Sequence, residues 1–590
     1  MRPVSRLTAV SGVGARRYDG RVTDRPQRDL DDLLLDGEVT GRTSLPVGPI
    51  APAAAADGRP PAERLGVAAL PEQPRGSVLD DWFGRFVNTP ARLRLWTWGL
   101  PLLVVLVAAV LRLWNLGHPD ALVFDETFYV KDAWTLWNLG FEGEWPANSD
   151  PGFAAGDVYA FTGNPSFIAH PPLGKWIIAL GMGLLGADNS VGWRLSAAIC
   201  GILAVAVVIL IGKRLFRSTL IASLAGFFLA IDGHAIVLSR VSLLDGILMF
   251  VTLLGVGAIL LDRQWSELRM AQKIAEGALP SWGPVLWWRP WLFTAGVLFG
   301  LASGIKWTGI FFLAAYGIYV VLVDALARRR AGVPFWGSGA VLKQGPIAFL
   351  TAVPIAFVAY LLTWSGWILT SGGQYRNNAT EFPDQAWTGT FAWVPHWIQN
   401  LWHYHEQMYN YSITLRATHP YQANPLTWLL MQRPTSMYFV DQAQGVDGCT
   451  LARCDEAITS VANPLIWYAG VAALLYLVYR LARYREWTSG FILMGMVAGY
   501  LPWLMYLNRT VFQFYCVIFE PYMMLALAFT AWRILGSRTD ERRRRSRGLV
   551  IVGVFVVLAV AITAYFYPLW TGQQTSFAFW QAHMWLPSWV

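Results

Sequence analysis

From about residue 98 onward the chain offers one apolar run after another, each near the length of about 20 residues that a helix needs to cross a hydrocarbon core of roughly 30 Å. The runs fall at 98–116, 193–213, 219–237, 241–261, 288–303, 305–325, 345–369, 463–482, 488–506, 511–531 and 549–567. Arg240 and Lys306 separate neighbouring runs with almost no loop between them. With 55% hydrophobic residues and only 14% charged ones, the chain lies far from the quarter or so that is charged in soluble domains. An all-α polytopic membrane protein of about 11 transmembrane helices is expected, and a soluble globular domain is excluded.

Residues 1–95 differ from the rest: rich in Arg, Asp, Pro, Gly and Ala, without a sustained apolar period, they read as a disordered cytoplasmic arm. No apolar segment follows the first basic residues, as a cleaved signal peptide would require. The net charge of +8 needs a membrane explanation. KRLFR at 213–217, ARRR at 327–330, RLARYR at 480–485 and ERRRRSR at 541–547 all fall on one side under the eleven-helix reading. The positive-inside rule makes that side cytoplasmic and places the protein in the plasma membrane, multi-pass, with a cytoplasmic N-terminus. Topology and anionic lipid explain these runs better than nucleic acid.

Residues 96–570 then form the transmembrane domain, with two large outer loops at 117–192 and 370–462 and an outer tail at 571–590. Loops of this size, rich in carboxylates in one case and in Trp, Tyr and His in the other, exceed what a simple channel needs. Cys449 and Cys454 in the second loop suit a local disulfide, while Cys200 and Cys516 read as apolar filler.

The first outer loop contains VFDETFYVKDAW, in which Asp125 and Glu126 are flanked by aromatic residues. Partial desolvation raises a carboxylate's pKa and a nearby cation lowers it, so such a pair can be tuned to take a proton from a hydroxyl nucleophile. Two solvated loop acids are the ordinary alternative for a DE pair. Further on, NPSFIAHPPLGKW brings His170 and Lys175 to the start of an amphipathic stretch that should lie along the interface, where both could face an anionic headgroup. Arg112, Arg194, Arg240, Lys306 and Arg509 lie at outer helix ends, on the side the positive-inside rule leaves poor in cations. Charges at membrane depth usually pair or bind something, and Arg holds phosphate well, so the group suggests a site for a lipid-linked phosphate. Asp245 either joins it or pairs with one of the arginines. His403, His405 and His419 of the second loop lack the spacing and partners of a zinc site.

In this order, VFDETFYVKDAW, HPPLGKW, WRLSAAICG, SRVSLLDG and HPYQANPLTWLLMQRP resemble the bacterial protein O-mannosyltransferases, the actinobacterial branch of the dolichyl-phosphate-mannose–protein mannosyltransferase family. The resemblance covers roughly residues 95–570. It implies a C-type glycosyltransferase fold with an outer-face active site, a polyprenyl-phosphate mannose donor, and a Ser or Thr acceptor on a protein emerging through the secretion channel. It also implies Asp125 as base and Glu126 as its partner in acceptor binding. Arg112 and Arg194 match helix-edge positions that matter for activity, and Arg433 is a further candidate. The leaving phosphate is expected to pair with Arg194, with Arg240 or Arg433 as alternatives, and His419 joins the substrate-binding set. One displacement would invert the anomer. No cofactor is implied, and with enough cations and no DxD-like pair, metal independence is expected. A same-fold transferase acting on a lipid or cell-wall polysaccharide and a polytopic transporter are the competing readings, although no clear mid-helix charges or repeats favour a transporter.

Overall fold

The computed structural model describes residues 77–276, 280–446, 448–537 and 539–590. The expected disordered arm lies outside the described residues as far as position 76. Its last part differs from expectation, because Val78–Phe86 (α1) is a helix closed by a capping box between Ser77 and Asp80.

Apolar sequence and membrane length coincide in α2 (Pro90–Leu113), which ends the way in. After it the long segment 117–192 carries α3 (Glu126–Leu139) and α4 (Leu173–Leu185). α4 packs against α3 and against α5 (Ser190–Phe216), while Leu180, Leu184 and Leu185 stay exposed on its other face. The run expected as one helix at 219–237 is instead α6 (Thr219–Ile231) and α7 (Gly233–Arg240), bent by 62°. Asp232 causes the break: its carboxylate accepts the His234 N–H at 2.9 Å, capping α7, and the Asn463 N–H at 3.1 Å. Asp favours such a cap over a helix interior.

The chain continues through α8 (Leu244–Ala275), which runs well past the expected end at 261, α9 (Pro290–Ser303), α10 (Thr308–Arg330) and α11 (Trp336–Thr363). The long segment 370–462 holds α12 (His396–Thr414). Then follow α13 (Pro464–Tyr484), α14 (Trp487–Met505), α15 (Glu520–Leu535) and α16 (Arg542–Thr571). Among the described residues eight helices are long and apolar enough to cross a membrane, or nine with the bent pair taken as one span. The expected spans 288–303 and 511–531 form the 14-residue α9 and a 3-10 turn followed by the 16-residue α15.

The core sits where α5 to α8 meet α15, and Phe228, Ile236, Ile247, Met524 and Phe529 are inaccessible there. By contrast α2 and α16 leave Leu102, Leu106 and Val557 more than half exposed, as helices facing lipid do. The all-α expectation misses one element. Strands β1 (Ser436–Ala443), β2 (Arg453–Thr459) and β3 (Gln574–Ser576) form a small antiparallel sheet in the order β1-β2-β3. Cys449 and Cys454 are bonded where β1 turns into β2. The last residues are therefore a strand and a helix, α17 (Phe577–His583), rather than a plain tail.

Candidate active site

A helix leaves its last carbonyls without partners. Here arginines fill that need reciprocally. Arg112, in the last turn of α2, donates to Ala230 O at 2.9 Å and Leu229 O at 3.0 Å, the carbonyls freed by the break after α6. Arg240, the last residue of α7, donates back to Arg112 O, Trp114 O and Asn115 O at 2.7–3.0 Å. Both side chains are buried. Arg112 also donates through Nε to the Ser239 hydroxyl at 3.2 Å, so the donors of these two residues serve neighbouring carbonyls and a hydroxyl within the fold.

Arg194 and Glu126 are enclosed in a similar way, by each other. The Arg194 guanidinium makes two bonds of 2.9 Å to the Glu126 carboxylate and others to Pro119 O and Ala121 O. Glu126 also accepts the Val123 N–H at 2.8 Å and the Ser242 N–H at 2.7 Å. Their accessibilities are 1% and 0%. The pair therefore ties the 116–126 loop to α5 and the α7–α8 turn. Lys175 is likewise enclosed, at 3.1 Å from both Asp132 and Glu142, and does not face a headgroup. Arg433 donates to Pro420 O, Ser588 O and Val590 O, fastening the last residues to the HPY turn.

Asp125 is what this framework holds. It precedes α3, only partly covered, and follows Phe124, whose φ of +52° is uncommon for a bulky residue. Phe124 is kept there by edge-on rings of His419, Phe512 and Phe514 at 5.7–5.9 Å. Burial pushes the Asp125 carboxyl up to about 6, against the Lys306 ammonium, which lowers it; Asp245 raises it, and a hydrogen bond from Tyr129 lowers it. Asp245 pairs with Lys306 at 2.8 Å rather than with an arginine. Lys306 also lies over the Tyr515 ring, 4.7 Å from its centre.

His170 stands beside Tyr129, with ring centres 6.2 Å apart. Burial and the charges of Lys306, Arg509 and Lys175 hold its pKa well below the usual value, so it is neutral. His419 accepts the Tyr421 N–H on Nδ1, leaving Nε2 to donate. His405 is structural: its Nδ1 faces Leu401 O and its Nε2 the Tyr360 hydroxyl at 2.6 Å. Arg509 differs from the other arginines. Its Nε is buried without a partner, and among the described residues it forms no ion pair; its guanidinium lies 6.0 Å from the Trp503 ring centre. Thr510, next to it, is bonded to Leu415 O and Ala417 O, which ties this loop to the one bearing His419.

Of the residues singled out in the sequence, Asp125, His170, Asp245 and His419 thus converge, whereas Arg112, Glu126, Lys175, Arg194, Arg240 and Arg433 surround them as supports. Lys306 and Arg509 belong to the group of cations that the sequence suggests for a lipid-linked phosphate, although neither is singled out within it. The signal for Lys306 is a cation between two apolar runs with almost no loop. Together these groups offer a carboxylate near neutrality, two cations, neutral imidazoles and aromatic walls, a set suited to removing a hydroxyl proton beside a departing anion.

The family model described as dolichyl-phosphate-mannose-protein mannosyltransferase matches residues 102–370. That of the C-terminal four TMM region of protein-O-mannosyltransferase matches 397–589. The polyprenol-phosphate-mannose–protein mannosyltransferase of Mycolicibacterium smegmatis (strain MKD8) is 33% identical over 505 residues, covering 83% of this chain and 93% of the relative. Its Corynebacterium glutamicum namesake is 28% identical over 545 residues, covering 88% and 99%. The S. cerevisiae protein O-mannosyltransferase Pmt1-Pmt2 complex bound to the sugar donor aligns with a TM-score of 0.60 at 13% identity, covering 88% of this chain and 95% of that one, so the C-type glycosyltransferase fold is shared. By both halves of its sequence and by relatives spanning most of its length, the chain belongs to the dolichyl-phosphate-mannose–protein mannosyltransferase family.

Proposed function

We infer that the protein transfers mannose from a polyprenyl-phosphate mannose to Ser or Thr hydroxyls of a polypeptide, with Asp125 as the base. The observation that carries the reading is Asp125 itself: a largely covered carboxyl pushed up to about 6 by burial, facing Lys306 and hydrogen-bonded to Tyr129. The acceptor oxygen attacks the anomeric carbon, its proton passes to Asp125, and the bond from that carbon to the phosphate oxygen breaks with its electrons leaving on polyprenyl phosphate. A single displacement inverts the anomer, so a β-linked donor gives an α-mannoside.

Lys306 and Arg509 replace Arg194, Arg240 and Arg433 as the cations assigned to the phosphate, because the three arginines are saturated by backbone and Glu126. A phosphate oxygen can compete with Asp245 for the Lys306 ammonium, and Arg509 brings unpaired donors. Two such cations supply the charge that a metal would otherwise supply, so transfer is expected to persist in EDTA; abolition by EDTA and recovery with a divalent ion would overturn metal independence. Arg509→Ala is expected to raise the donor KM at least tenfold with the peptide KM unchanged.

The site is assigned to the extracytoplasmic side of the plasma membrane. In support, Arg194 and Lys306 lie at one end of α5 and α10, while Lys213, Arg214 and Arg328 to Arg330 lie at the other, and Arg542 to Arg545 begin α16 at that second end. A polypeptide leaving the secretion channel is the acceptor such a placement favours. The test is incubation of the purified protein with polyprenyl-phosphate mannose and a Thr-containing peptide. A mannosyl-peptide in the mass spectrum is expected, and sugar found only on lipid or polysaccharide would contradict the reading.

A further inference from the structure

An open groove on the large loop has no part in the steps above. It is a hollow of about 340 Å³, open to solvent, between Phe167 and Tyr375 on one side and Gln407, Asn410, Tyr411 and Thr414 on the other. The last four stand at i, i+3, i+4 and i+7 on α12 and so form one stripe of that helix. No charged side chain lines the groove.

The same helix shows what its amides do when they meet a chain. Asn400 accepts the Ala379 N–H and donates to Arg376 O, at 2.8 and 2.7 Å. Gln399 accepts the Trp387 N–H and donates to Val394 O, both at 2.7 Å. Each of these amides holds main chain through both of its polar atoms. Among the described residues the side-chain amides of Gln407 and Asn410 and the Tyr411 hydroxyl have no such partner. They repeat the chemistry of Gln399 and Asn400 toward the open groove.

The groove is also joined to the reacting centre. Phe167 contacts the Tyr411 and Tyr404 rings, each at 5.8 Å between centres, and Ile168 N donates to the Tyr404 hydroxyl at 3.1 Å. His170, three residues on, stands against Tyr129, which bonds Asp125. Three residues reach at most about 10 Å. We propose that this groove holds the main chain of the acceptor polypeptide a few residues away from the Ser or Thr being modified, through Gln407 and Asn410. With no charge in its walls, it reads backbone and uncharged side chains, and tolerates many sequences.

The proposal rests on the reading of the protein as a mannosyltransferase acting on polypeptide, and two measurements keep them apart. Binding of a fluorescent Thr-containing peptide to the full-length protein is read by anisotropy without donor, and transfer is read separately. The Gln407→Ala/Asn410→Ala variant is expected to bind the peptide at least tenfold more weakly and to raise its KM alike, with kcat and the donor KM unchanged. Asn410→Gln is expected to retain much of the affinity. Unchanged peptide affinity, a donor KM that moves instead, or competition by methyl mannoside against the peptide would each overturn the proposal. Peptide bound by wild type, yet sugar delivered only to lipid, would refute the acceptor reading while leaving the groove as a peptide site.

Discussion

In the proposed role of Asp125 as base, transfer depends on one proton. A carboxyl held up to about 6 is protonated below that pH and cannot accept the hydroxyl proton, so transfer should rise with pH and level off above about 7, provided the chemical step limits the rate. Lys306 lowers that value, and its removal also leaves Asp245 as an uncompensated like charge. Lys306→Met is therefore expected to move the midpoint of the pH–rate profile upward, besides reducing the maximal rate; a midpoint unmoved or lowered would contradict the electrostatics. The DE pair was legible in the sequence, but the division of labour within it was not. Asp125 and Glu126 are chemically alike and adjacent, and only the fold shows that one meets Arg194 and two backbone N–H groups while the other meets a phenol and open space.

Elements explain the arginines. Helix ends need donors, and where the chain breaks at Asp232 more carbonyls are freed; Arg112 and Arg240 serve those ends. A sequence displays the cations at helix edges but not the carbonyls they face, which belong to segments over 100 residues away, so the edge cations read as ligands. Arg240→Ala is expected to destabilise the protein by about 2–4 kcal/mol, seen as a lower unfolding temperature, with the donor KM little changed in the folded fraction. Arg194→Ala leaves Glu126 buried and unpaired, at a cost of about 3–5 kcal/mol, and Arg194→Ala/Glu126→Gln should recover part of that loss. A stable Arg194→Ala protein with a raised donor KM alone would restore the phosphate role. The helix break itself was hidden because Asp232 sits in a run otherwise apolar enough to be one span.

Across the whole molecule, the run of apolar segments and the basic clusters were plain from the sequence, since bilayer thickness and lipid charge act on composition directly. The sheet was not, because its strands are short and one of them, Gln574–Ser576, lies more than 100 residues from the hairpin it joins. Sidedness gives a prediction at this scale. In intact cells, cysteine placed at Thr418 should react with a membrane-impermeant maleimide, whereas cysteine placed at Arg543 should react only after permeabilisation; the reverse pattern would invert the orientation. The central claim, that one carboxylate drives the transfer, is tested most directly by single-turnover mannose transfer with Asp125→Asn, at pH 8 and with folding verified by an unchanged unfolding temperature. A rate at least a hundredfold below wild type is expected, and a rate within a few fold of it would contradict the assignment of Asp125 as the base.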